Sequence, residues 1–154
     1  MRRTNLSGAA CPIARSLDEI GDWWTLLIVR EAFRGARRFS EFEKGLGLAK
    51  NILSRRLRQL VENGILEVRA PANGGARHEY HLTEKGSRLR VVMVALRQWG
   101  EDNLFAEDEE MTVLLEKATG QPIGRLRVTS HDGRVLEPDD VVTRWRAGDV
   151  AGTA

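Results

Sequence analysis

Six side chains between positions 50 and 59 carry the most distinctive chemistry in this sequence: Lys50, Asn51, Ser54, Arg55, Arg58 and Gln59. Wound as a helix at about 100° per residue, Asn51, Arg55, Arg58 and Gln59 share one face, with Lys50 and Ser54 at its margin. Arginine donates two parallel hydrogen bonds to guanine O6 and N7, and asparagine or glutamine pairs in the same way with adenine. Lysine and serine suit phosphate oxygens, which fix register without reading sequence. The opposite side, Leu53, Leu57, Leu60 and Val61, is an apolar stripe of the width that faces a core. A helix over 49–63 built this way fits a DNA major groove. An ordinary solvated helix face has the same pattern, so the neighbouring elements decide.

Those neighbours are legible from caps and periodicity. Pro12 suits a first helical turn, and Ile13, Leu17 and Ile20 recur at helical spacing until Gly21, predicting a helix over 12–20. Asp22 is placed to cap a second helix, 23–33, so apolar that it is expected to be largely buried. A short helix with Ser40 near its start comes next, followed by the glycine turn Gly45-Leu46-Gly47-Leu48. Short helix, turn and amphipathic helix in that order make a helix-turn-helix. Residues 65–69 and 77–82 alternate like strands around a Pro/Gly/Asn loop, which gives a hairpin wing with Arg77 as the main cation near its tip. Thr83 is placed to cap one long helix over 84–104, whose stripe of Leu89, Val92, Met93, Leu96 and Trp99 calls for a second subunit to cover it. Beyond it, 112–115, 125–128 and 141–145 read as three short strands joined by turns.

Charge is distributed unevenly. The net charge is +2, yet residues 34–97 hold 14 cations against 6 anions, while 98–119 hold one against seven. A local excess of cations around the amphipathic helix is the footprint expected for a polyanion partner. The acidic stretch from Glu101 to Glu110 reads as a solvated hinge. A length of 154 residues with 42% hydrophobic content suits one compact domain with a modest appendage. No apolar run approaches the roughly 18 residues of a membrane span and the start lacks a signal-peptide core, so a cytoplasmic location is expected.

Cys11 is the lone cysteine, and no Cys/His cluster has metal-ligand spacing, so neither an internal disulfide nor a metal is expected. At a helix N-terminus and one turn from Arg15, a Cys11 thiolate would be favoured and more reactive; alternatively, Cys11 is a small packing residue at an interface. His78 and His81 point to opposite faces of a strand and form no joint site. Trp23, Trp24, Trp99 and Trp145 either line a ligand cavity or belong to the core, with Trp24 the firmest core assignment.

Several motifs in unbroken order carry a family resemblance. They are Cys11-Pro12-Ile13, the stretch 17–28 around Gly21-Asp22-Trp23-Trp24-Thr25, and Arg38-Phe39-Ser40-Glu41-Phe42. The stretch 52–66 comes next, with Leu53-Ser54-Arg55-Arg56-Leu57 and Asn63-Gly64, then Glu79-Tyr80-His81-Leu82-Thr83-Glu84-Lys85-Gly86 and Gln98-Trp99-Gly100. Over about residues 9–105 the chain resembles the HxlR-type winged helix-turn-helix transcriptional regulators of bacteria. The resemblance implies a mostly α fold with small β content (α+β). It divides the chain into a DNA-binding and dimerisation domain over 1–106 and a C-terminal β-rich extension over 107–154.

It further implies a homodimer joined through its first and last helices, binding double-stranded operator DNA of inverted-repeat form, with no cofactor and no enzymatic activity. In that picture the protein is a repressor. Asn51, Arg55, Arg58 and Gln59 read bases, Lys50 and Ser54 meet the backbone, and Arg77 reaches DNA from the wing. Some relatives sense oxidants or electrophiles through a cysteine at the position of Cys11, and a small-molecule effector of unknown identity is compatible with the family. A winged-helix module that binds a protein instead of DNA is the alternative, disfavoured by the many cations.

Overall fold

The computed structural model describes residues 5–71 and 78–144. They form two compact units that divide inside one helix, the first ending at Trp99 and the second starting at Gly100. In the first unit, Pro12 opens α1 (Pro12–Ile20), where the fixed φ of proline suits the first turn and a missing N–H leaves nothing unpaired. Asp22 then starts α2 (Trp23–Phe33): its Oδ1 accepts from the amides of Trp24 and Thr25 at 3.1 and 3.3 Å. α3 (Phe39–Leu46) is held at its entry by Glu41, whose Oε2 accepts from the amides of Arg37 and Arg38 at 2.7 and 3.0 Å. Those two N–H groups hold the Glu41 carboxyl below its ordinary value of 4.5. Gly47 adopts a left-handed φ of 62°, open to glycine without a Cβ penalty, and leads the chain into α4 (Lys50–Glu62).

Three helices and the root of a hairpin supply the core. Ile28, Val29 and Ala32 of α2 meet Phe42 of α3, Leu53, Leu57 and Leu60 of α4, Leu48 and Ile65 from the connections, and Leu66 at the hairpin root. The hairpin pairs β1 (Leu66–Arg69) with β2 (Glu79–Leu82) antiparallel, in the register Leu66 to Leu82 and Arg69 to Glu79. It is tied to the helices by its backbone: the Tyr80 amide donates to the Arg37 carbonyl at 2.7 Å, and Arg37 Nη1 donates to the carbonyls of Ala32 and Ala36, each at 2.8 Å. The wing tip, with Arg77, lies outside the described residues.

Three sequence expectations need correction. The helix expected over 84–104 is divided into α5 (Glu84–Ser87) and α6 (Leu89–Leu104), with Arg88 between them. Thr83 Oγ1 donates to the Gly64 carbonyl at 2.6 Å and accepts from the Gly86 amide at 3.0 Å, so the first turn is pinned to the end of α4 independently of the rest. Gly86 packs so closely there that a Cβ would lie 2.1 Å from the Ile65 carbonyl oxygen. The second correction concerns α2. It buries Ile28, Val29 and Ala32 as expected and packs Trp24, half-buried, against the core, but Trp23 is 70% exposed.

The third lies in the second unit. Instead of strands over 112–115, 125–128 and 141–144, its described residues hold two isolated bridges, Leu115 to Pro122 and Thr129 to Val135, and a 3-10 helix (Pro138–Asp140), while Trp145, the end of the third expected strand, lies outside them. Pro122 has no N–H with which to continue a ladder, and a lone pair of strands without a buried face gains too little to propagate. No described residue of this unit is buried. Local polar contacts shape it instead: Arg125 pairs with Glu101 and Asp102, and Arg134 with Asp140.

Candidate nucleic-acid interface

α4 is amphipathic in the way its spacing predicts. Leu53, Leu57 and Leu60 are buried, whereas Lys50, Asn51, Ser54, Arg55, Arg58 and Gln59 are all exposed. Val61 and Ile52, on the shoulders of the stripe, are partly buried against the core. The first turn of α4 carries no side-chain cap at Ala49, so its leading amides are open to an external acceptor.

The exposed set divides by its partners. Asn51, Ser54, Arg55 and Arg58 make no ion pair or side-chain hydrogen bond among the described residues. Gln59 Nε2 donates to Asn63 Oδ1 at 3.2 Å. Lys50 sits 3.8 Å from Glu43 of α3 with 78% of its side chain exposed, a separation at which the pair yields readily to a stronger anion. Six of the seven sequence-predicted contacts thus share one surface, and the seventh, Arg77, lies outside the described residues.

Around this helix the hairpin root carries its own charges. Glu79 accepts from Arg38 at 3.5 Å and contacts His81 Nε2 at 3.2 Å, while Arg69 pairs with Glu67 along β1. These pairs bring ionic groups of opposite sign together at the foot of the wing. His78 precedes β2 and is exposed.

Sequence reasoning missed two cations that work inward. Arg56 Nη2 donates to Asp22 Oδ2 at 2.7 Å. Its spacing, three after Leu53 and four before Leu60, puts it on the edge of the apolar stripe, a signal that was available. Lys85 Nζ donates to the Asn63 carbonyl at 2.9 Å and pairs with Glu19 at 2.6 Å. Glu31 of α2 is also buried, between Arg30 and Arg34 at 2.8 and 3.2 Å.

Cys11 is the N-cap of α1 and is exposed. α1 buries none of its residues, and Ile13 and Leu17 are exposed, as are Val91, Val92, Leu96 and Trp99 along α6. An open polar cleft of about 600 Å³ lies between Asn5, Ser7, the α1 residues Arg15, Asp18 and Glu19, and the α4 end at Gln59 and Asn63. Trp23, Trp24 and Trp99 do not line it. No helix among the described residues is long and apolar enough to cross a membrane.

Known proteins share this arrangement. The model of the HxlR-like helix-turn-helix family matches residues 19–108. The HTH-type transcriptional regulator Rv3095 of Mycobacterium tuberculosis (strain ATCC 25618 / H37Rv), itself uncharacterized, is 36% identical over 84% of this chain and 82% of its own length. The crystal structure of PA1607, assigned as a transcription factor, superposes with a TM-score of 0.87 at 52% identity and covers 92% of this chain and 99% of that one. Coverage that wide carries the likeness into the second unit. The redox regulator HypR in its reduced form aligns with a TM-score of 0.53 at 31% identity, covering 60% of this chain and 93% of its own. The helix-turn-helix of α3 and α4, the hairpin behind it and these matches lead to one assignment: the chain belongs to the HxlR-like helix-turn-helix family of transcriptional regulators.

Proposed function

We propose that this regulator binds DNA sequence-specifically as a homodimer and represses by occluding a promoter. The observation that carries the reading is the outward face of α4, where Arg55, Arg58, Asn51 and Ser54 stand exposed without partners among the described residues while the inward face is buried. In this reading Asn51, Arg55, Arg58 and Gln59 meet base edges. Lys50 and Ser54 meet phosphates, and Arg77 reaches the backbone from the wing. The exposed apolar residues of α1 and α6 support a two-fold pair joined through those helices, which would present two copies of α4 to an inverted repeat. An electrophoretic shift on the DNA upstream of the regulator's own gene tests the proposal. A retarded band at low salt that a scrambled duplex does not compete away is expected, and its absence counts against the reading.

A response to oxidants or electrophiles through Cys11 belongs to the same proposal. Exposure at the first turn of α1 supports it, because oxidation and alkylation need an accessible thiol, and so does the likeness to a redox regulator. Hydrogen peroxide would take two electrons from the Cys11 thiols of two chains, giving one disulfide and two waters. A protein-binding role for the same helix is disfavoured, since its outward face, Lys50, Asn51, Ser54, Arg55, Arg58 and Gln59, holds no aromatic or large apolar anchor of the kind that dominates protein interfaces.

A further inference from the structure

α4 is tied to the end of α1 and the turn after it at two points. Asp22 makes the first tie. Its Oδ1 is committed to the leading amides of α2, and its Oδ2 accepts from Arg56 Nη2 at 2.7 Å. Only 21% of the Arg56 side chain and 23% of the Asp22 side chain are exposed, so solvent screens this pair far less than a surface ion pair. Lys85 makes the second, donating to the Asn63 carbonyl at the C-cap of α4 and pairing with Glu19 of α1. Glu19 and Lys85 are about half exposed, so the second tie contributes less, although a cation on the last carbonyls of a helix suits its dipole.

Packing does not account for Arg56. Its Nε is buried without an acceptor among the described residues, an arrangement with a desolvation penalty. A shape-matched apolar side chain would serve the core as well or better, but it would not set direction. Direction matters because a roll of about 20° displaces side-chain tips on a helix of roughly 5–6 Å radius by about 2 Å. A bidentate hydrogen bond to a base edge does not survive such a shift.

We infer that Asp22 and Arg56, assisted by Glu19 and Lys85, are positioning residues for base readout. They set the roll of α4 against the α1–α2 junction, so that its outward side chains meet the groove in one register. The inference rests on the DNA-binding reading above.

The test leaves the outward face of α4 untouched. Asp22→Asn keeps an acceptor for the α2 amides while removing the charge opposite Arg56, and adding Glu19→Gln loosens the second tie. The probes are a duplex that the wild-type full chain selects from a randomised pool and the same duplex with its sequence scrambled. The double variant should lose about tenfold in the ratio of the two affinities. Its affinity for the scrambled duplex should hold or rise, because two anionic charges are gone. Arg56→Gln should lose the ratio as well, and Arg56→Lys should retain most of it. A ratio unchanged in both the double variant and Arg56→Gln overturns the positioning role, even where both affinities fall by one common factor. If the wild-type protein selects no sequence, the DNA-binding reading itself fails; a wild type that selects and variants that discriminate equally well refute only the positioning.

Discussion

Replacing Lys50 with methionine changes the salt dependence of DNA binding by an amount set by the exposed face of α4. That face presents Lys50, Arg55 and Arg58, hence six cations in the proposed dimer. If each lies close enough to the polyanion, at a phosphate or at a base edge in the groove, to displace one counterion from B-DNA, the slope of log K against log salt is about −5, and affinity falls on the order of a thousandfold between 50 and 200 mM. Lys50→Met removes two of the six, so the slope becomes about −3.5 and the same salt step costs about 150-fold. The Glu43 carboxylate 3.8 Å from Lys50 competes with the phosphate, so Glu43→Gln should tighten binding modestly, by up to about fivefold. Fluorescence anisotropy on a selected duplex across that salt range measures all three proteins. A wild-type slope shallower than about −2 refutes the placement of this face against DNA, and a slope unchanged by Lys50→Met refutes the assignment of Lys50 to a phosphate.

Other expectations concern stability and signal. Leu57 is fully buried in the first unit, so Leu57→Ala should lower unfolding stability by about 2–5 kcal/mol in urea titration, and a loss below about 1 kcal/mol contradicts the core described above. Gly86→Ala pushes a methyl against the Ile65 carbonyl and should cost about 1–3 kcal/mol, seen as a lowered Tm; an unchanged Tm shows that α5 shifts freely. The Glu41 carboxyl titrates below its ordinary value, so its contribution is fully present above 4.5 and is lost as pH falls through the lower, folded value. Glu41→Gln should therefore flatten the stability profile below pH 4.5 and leave its shape above that unchanged, as read by thermal unfolding across pH. Diamide or mild peroxide should weaken operator binding by the wild type but not by Cys11→Ser; an equal response in both removes Cys11 from the mechanism.

Local features were the ones legible in the sequence. The stripe of Leu53, Leu57 and Leu60, the Asp22 and Thr83 caps and the glycine turn at Gly47 each depend on residues within a turn or two, and each stands where spacing places it. Features that depend on distant chain were harder to read. Arg56 lay on the edge of the stripe, but its partner is 34 residues away. Trp23 counted as apolar composition in a helix expected to be buried, yet burial is decided by the surface opposite, and the described chain leaves most of this ring open. In 112–115, 125–128 and 141–145, short runs rich in apolar residues between turns promised strands. Such a run makes a strand only where a neighbour supplies a ladder and a face to bury, and among the described residues single bridges form instead.

The described core of the first unit is drawn from a short stretch of chain, from Ile28 to Leu66. Contacts so close in sequence need little loop closure, so this segment is suited to fold quickly, ahead of the helices C-terminal to it. During synthesis every one of these core residues leaves the ribosome before α6 does. The nascent chain thus holds all of these buried core residues before its long, apolar-faced helix emerges and adds Leu89 and Met93 to their edge. In the proposed homodimer, subunits meeting on that helix would meet as folded units, which limits the time in which core and assembly surfaces are exposed together.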